Sequence, residues 1–359
     1  MDRKKLRNTL FLLVLLFLII IGIGTYWRVL PVIDHNNNDN KPSRVKIGLS
    51  LATLQEERWK RDRDYLEEKV VECGGEFISL SANNDHNLQV RQVQYFVNNK
   101  VDVLIIIPQD LDRLAEAVEI AKRAGIKVIS YDRLMRNADL DLYISFDSTK
   151  VGELMAKRLT EEVPSGRYVI INGPRTDHNC YLINQGYRNV LIPLIEKHKI
   201  EIVHEKWADN WLPEKAYATI SQLLLDGVGF DAVLAANDGL ASGAIEALSE
   251  WRLAGKIPVT GHDADLSACQ RIIEGTQLMT VYKPIRQLAY RAAELAILLA
   301  ENKEIKTNSQ AVFNGKNYIP AEIITPISID QTNINIVIED DFHRLEDIYR
   351  NIPKPVKQL

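Results

Sequence analysis

At 359 residues the chain exceeds the roughly 250–300 at which a single core stops growing, so two lobes are expected. Lys and Arg number 44 against 48 Asp and Glu, a formal charge of −4 with the basic residues scattered, which excludes a nucleic-acid partner. The three cysteines, Cys73, Cys180 and Cys269, form no C-x-x-C pair and are expected as small core residues or at most one pair, without a disulfide framework.

Residues 9–27, TLFLLVLLFLIIIGIGTYW, carry no charge. As a helix this run would cross the hydrocarbon core of a bilayer, roughly 30 Å. Arg3, Lys4, Lys5 and Arg7 precede it, so residues 1–8 are expected as a cytoplasmic tail, 9–27 as a single transmembrane helix, and the body as extracellular or periplasmic. A cleaved signal peptide is the alternative, but its apolar core is usually only about 7–15 residues, and bulky Tyr26 and Trp27 follow the candidate small residues Gly22 and Gly24. No cysteine lies before Cys73, so a lipid anchor is not expected. Residues 28–44 read as a linker, because the Asn-rich stretch PVIDHNNNDNKPSR buries too little apolar surface to fold alone.

From residue 45 to 284, ten β-branched runs alternate with helix-length amphipathic stretches, the pattern of parallel α/β architecture. The first five begin at Val45, Gly75, Val101, Ile126 and Asp141; the second five begin at Gly166, Ile200, Phe230, Lys256 and Met279. Arg91, Val93, Phe96 and Val97 share one helix face, as do Leu114, Ala117, Val118 and Ala121, after which Gly125 suits a C-cap. Five strands twice over predict two similar lobes and a cleft. The stretch 284–301 is apolar on nearly one whole face and should pack on a sheet; Arg286, Arg291 and Glu294 exclude it as a membrane span. Extended pieces after Asn302 are expected to return between lobes. The predicted division is 45–146 with 280–318 for the first lobe, 147–279 with 319–345 for the second, and 346–359 as a tail.

Ligands of open parallel sheets sit beyond the carboxyl ends of the strands. The residues there are unusually polar and aromatic: Arg58 and Trp59 after the first run, Asp132 and Arg133 after the fourth, Asp177 and Asn179 after the sixth, and Trp211 after the seventh. Asn237 and Asp238 follow the eighth, Asp263 and Asp265 the ninth, and Lys283 the tenth. Carboxylates accept hydroxyl protons, Arg, Lys and Asn donate to hydroxyl oxygens, and an indole offers a flat face to the C–H side of a sugar ring. A neutral sugar fits this set better than an anion, which the acids would repel.

Other chemistries find less support. The D-x-D at Asp263 lacks the glycine of a calcium loop, since Ala268 stands there, and the seven histidines show no H-x-x-x-H pair, so no metal is expected. Phosphate-binding, dinucleotide-binding and nucleophile-elbow motifs are missing. A glycosidase needs two opposed carboxylates, which the cleft has enough acids to supply, but distributed Asp, Asn and Arg look like equilibrium recognition. No catalytic residue and no cofactor is therefore assigned. Glu56, Glu57, Asp62 and Asp64 read as a solvated face or helix-start charges, Trp251 as packing, and Asp209 as a possible cap for the helix beginning at Pro213.

The segments ERWKRDRDYLEEK, VDVLIIIP, KVISYDRL, ADLDLYISFDSTKVGEL, WADNWLPE, AANDGLASGAIEALS, GHDADLSACQRI and GTQLMTVYKP carry a resemblance across residues 45 to 343. In them the chain is similar to the type I periplasmic sugar-binding family, and within it to D-xylose-binding members. The resemblance implies two Rossmann-like lobes joined by three crossovers, with the ligand enclosed between them. It implies sugar contacts at Arg58, Arg133, Asp177, Asn179, Asn237, Asp263 and Lys283, with Trp59 and Trp211 walling the ring and Asp132 nearby. His178 and His262 stand where the family suggests Asn and Gln. The anchor is the large departure. A permanent span suits a lasting complex with a membrane sensor histidine kinase, the expected partner; the alternative is delivery of D-xylose or a similar aldopyranose to an ABC permease.

Overall fold

The computed structural model describes residues 44–353. The cytoplasmic tail, the apolar run and all of the linker before Arg44 lie outside the described residues. Among the described residues no helix is long and apolar enough to cross a membrane.

All ten expected runs form strands: β1 (Lys46–Leu51), β2 (Glu76–Ser81), β3 (Val103–Ile107), β4 (Lys127–Tyr131), β5 (Leu142–Phe146), β6 (Gly166–Asn172), β7 (Ile200–Trp207), β8 (Ala232–Ala235), β9 (Val259–Thr260) and β10 (Thr280–Tyr282). Four short strands follow, β11 (Val312–Phe313), β12 (Tyr318–Ile319), β13 (Ala321–Ile324) and β14 (Ile327–Ile329). The first sheet runs β2-β1-β3-β4-β5-β13 and is parallel throughout. Every residue of β3 and β5 is buried, as expected for parallel strands covered by helices on both faces. Leu66 and Val70 of the helix Glu57–Glu72 pack with Leu288 and Ala292 of Ile285–Ala300 on one side. Val93 and Phe96 of His86–Asn98 pack with Ala117 and Val118 of Ala115–Arg123 on the other.

The second sheet runs β7-β6-β8-β9, again parallel, between the helices Ser148–Glu162 and His178–Ile195 on one face and Pro213–Leu225 and Asp238–Glu250 on the other. On the first of these faces the backbones meet closely: a Cβ on Gly152 would lie 2.0 Å from the Ile183 carbonyl oxygen, and one on Gly186 would lie 2.1 Å from that of Thr149. Glycine is what lets these two helices touch.

Three expectations about strands and boundaries are corrected. The second sheet has four strands rather than five, because β10 pairs antiparallel with β14 and reaches β9 through a single bridge, Thr260 with Met279. The division at 318 also fails for β13, which lies beside β5 in the first sheet and pairs that strand's otherwise open edge. The residues after 345 are not simply a tail: Leu345–Ile348 is helical, and Ile348 is buried. The chain crosses between lobes after β5, after β10 and between β13 and β14. In each sheet the strand order reverses at the first strand, β1 or β6, and the cleft opens at those switch points.

Candidate ligand-binding cleft

The loops that leave the carboxyl ends of both sheets line a narrow cavity. All ten residues selected from the sequence line it: Arg58, Trp59, Asp132, Arg133, Asp177, Asn179, Trp211, Asn237, Asp263 and Lys283. Glu56, Ile183 and His262 complete the wall.

Helix starts and strained loops position these groups. Asp177 is the N-cap of His178–Ile195; its Oδ1 accepts the Asn179 N–H at 2.9 Å, and its Oδ2 meets Arg133 Nε at 2.7 Å and Trp211 Nε1 at 3.3 Å. Asn237 caps Asp238–Glu250 by accepting the Leu240 N–H at 2.9 Å, which leaves its amide nitrogen as a donor. Three of the ten residues have left-handed backbones without being glycine, Asp132 (φ 61°), Trp211 (φ 57°) and Asp263 (φ 104°). Such strain persists where surrounding bonds hold it and clusters at functional sites. At Asp132 the N–H donates to the Ile144 carbonyl at 2.7 Å, and the carbonyl accepts from Ser145 Oγ at 2.6 Å and Asn179 Nδ2 at 3.1 Å.

The charges interlock. Arg58 donates from Nη2 to Asp132 at 2.7 Å, from Nη1 to Asp263 at 3.4 Å and from Nε to Asp62 at 3.3 Å. Lys283 Nζ lies 2.9 Å from Asp263 Oδ1. The Arg58 guanidinium also stacks 4.2 Å from the Trp59 ring centroid, with that of Arg133 at 5.2 Å. Burial opposes ionisation of Asp263, but His262, charged only in the strong acid where this carboxyl titrates, together with Lys283 and Arg58 outweighs it and holds the carboxyl well below its usual range. Burial likewise opposes ionisation of Asp132, and Arg58, Lys283 and Arg133 overcome it. His262 is pushed down to about 3, chiefly by burial, so it is neutral at physiological pH and the two cations carry the pairing with Asp263. Its ring stands edge-on to Trp211, with centroids 5.9 Å apart. Among the described residues, Trp59 Nε1, Asn179 Oδ1 and His262 Nδ1 are buried without hydrogen-bond partners.

Several sequence expectations change. Asp62 is no part of a solvated face: it is completely buried, accepts a hydrogen bond from the Tyr131 hydroxyl and backs Arg58. Glu56 turns into the cavity. Asp238 points away from it, accepting from Thr280 Oγ1 and Gln277 Nε2, both at 2.8 Å, and from the Asp265 N–H at 3.0 Å. Asp209 makes no capping bond to the helix from Pro213, whose N-cap is Leu212. Trp251 is about half exposed and Cys73 is exposed, whereas Cys180 and Cys269 are buried free thiols.

The Asp62 carboxyl is raised to about 6, mainly by burial and against the pull of Arg58. Its unfolded value is about 3.9, so the folded state holds the proton more tightly between the two values. The stability of the protein relative to Asp62→Asn should therefore fall as pH rises from about 4 to about 6 and level off above about 7. Urea unfolding of both proteins across that range measures the difference; a relative stability that rises with pH would contradict the assignment.

Two parallel α/β lobes with a small, charge-paired cavity at their facing strand ends define a class, that of two-lobed proteins that enclose a small polar ligand. The chain belongs to the periplasmic-binding-protein family, whose periplasmic binding protein domain matches residues 47–304. It is 45% identical over 307 residues to the D-xylose-binding periplasmic protein of Haemophilus influenzae, covering 85% of this chain and 92% of that protein. The D-xylose-binding periplasmic protein of Escherichia coli is 43% identical over 306 residues, with the same coverage. Among solved structures, the carbohydrate transporter solute-binding protein of Chloroflexus aurantiacus in complex with D-glucose aligns with a TM-score of 0.79 at 27% identity, over 84% of this chain and 97% of that one.

Proposed function

We propose that this protein binds a neutral aldopyranose, D-xylose foremost, in the cleft between its lobes and delivers it to an ABC permease. The observation that carries this reading is the cavity itself, where Asp132, Asp177 and Asp263 each pair with a buried cation and two indoles stand in the wall. Each ion pair offers both an acceptor and a donor to a sugar hydroxyl, which needs both. The names of the two D-xylose-binding relatives support the choice of sugar.

Delivery rather than signalling is supported by the transporter role in the description of the Chloroflexus protein. The sensor kinase expected from the sequence has no such support among the relatives named above. The membrane anchor and the extracellular or periplasmic placement of the body rest on the run 9–27 and its basic flank, and retention of that run makes the protein a tethered receptor.

Calorimetric titration with xylose, ribose, glucose and arabinose should give saturable binding, strongest for xylose. A micromolar dissociation constant corresponds to about −8 kcal/mol. No heat with any of the four at millimolar concentration would defeat the proposal. Co-purification from native membranes tests the partner: permease subunits support delivery, and a sensor kinase without permease reverses it.

A further inference from the structure

Glu56 stands apart from the other acids of the cavity. Arg58 is held by Asp132 and Asp263, Arg133 by Asp177, and Lys283 by Asp263. Among the described residues lining the cavity, Glu56 is the carboxylate that takes part in none of these pairs, and its Oε2 is buried without a hydrogen-bond partner. It sits at the N-cap of Glu57–Glu72 with extended backbone (φ −74°, ψ 140°), yet its side chain makes no capping bond. A carboxylate oxygen that is buried on a partly exposed side chain and makes no bond to the free N–H groups of its own helix loses solvation at that atom, unless another donor arrives. The indole N–H of Trp59 and the Oδ1 of Asn179, both buried in the same wall, are likewise unpartnered. A cationic ligand group is a poor candidate for Glu56, because Arg133 is its strongest charged neighbour, ahead of Asp263 and Arg58, and would repel it.

We propose that Glu56 is a specificity-determining contact whose Oε2 accepts the proton of one particular sugar hydroxyl. This inference rests on the sugar-binding reading and extends it. A site built to hydrogen-bond a hydroxyl rejects an analogue that lacks it, because the buried partner is then left unpaired.

The test uses the full chain with D-xylose and its four monodeoxy analogues, lacking the hydroxyl at position 1, 2, 3 or 4. Each is titrated calorimetrically against wild type, Glu56→Gln and Glu56→Ala, with thermal melting to verify folding. One analogue should bind wild type at least about tenfold more weakly than xylose. The same deletion should cost no more than about twofold in Glu56→Ala, with Glu56→Gln between the two, while penalties at the other positions persist. If wild type binds xylose and every deoxy penalty is unchanged in both variants, Glu56 is not a contact and the sugar reading survives. If wild type binds no sugar, both fall together.

Discussion

Replacing Arg58 with alanine should abolish detectable sugar binding and cost about 3–5 kcal/mol of stability, the size expected when one partner of a buried ion pair is removed. The guanidinium is 4% exposed and touches Asp62, Asp132 and Asp263. Its loss would leave Asp62 and Asp132 without their ion-pair partner and Asp263 with Lys283 alone. The two effects separate by measurement, since denaturant unfolding reads stability and calorimetry below the midpoint reads affinity. A variant with wild-type stability would mean that this network is far weaker than its burial implies.

Asp263→Ala should reduce xylose affinity by at least about 100-fold, because it removes a hydroxyl acceptor and at the same time leaves the buried Lys283 without its ion-pair partner. Lys283 pairs with this carboxylate at 2.9 Å, and Arg58, also held by Asp132 and Asp62, reaches it at 3.4 Å. Asp263 also holds its place with φ at 104°, where its N–H donates to the Val281 carbonyl at 2.9 Å. Asp263→Asn keeps that shape and an acceptor oxygen but removes the charge, so its loss of affinity should be smaller than that of alanine. Equal affinity for all three proteins in calorimetric titration would place the sugar elsewhere.

Much of this arrangement was legible in the chain because parallel sheets impose a simple rule: whatever follows the strands meets at one end. Alternation of β-branched runs and amphipathic stretches located all ten main strands, and reading past each run led to Asp132, Asp177, Asn237 and Asp263 without knowledge of the fold. What escaped notice has physical causes. In EERWKRDRD the charges resemble a solvated helix face, yet Asp62 lies four residues from Arg58 and so shares its buried face, a spacing that could have revealed the pair. Glu56 was hidden by its position at a helix start, where acids are ordinary. A sharper signal was available, since glutamate is not among the side chains favoured at an N-cap. The placement of β13 could not be read at all, because four residues ending just before Pro326 carry too little periodicity to say which sheet they join. Asp238 misled for another reason: a residue after a strand may face the cleft or the core, and only Thr280 and Gln277 reveal which.

A crystal structure of the protein grown with D-xylose tests the central claim most directly. One pyranose ring should lie between Trp59 and Trp211, with its hydroxyls within about 3.2 Å of Asp263, Arg133 and Asn237. Xylose bound at another surface, with those three side chains in contact only with one another, would contradict it.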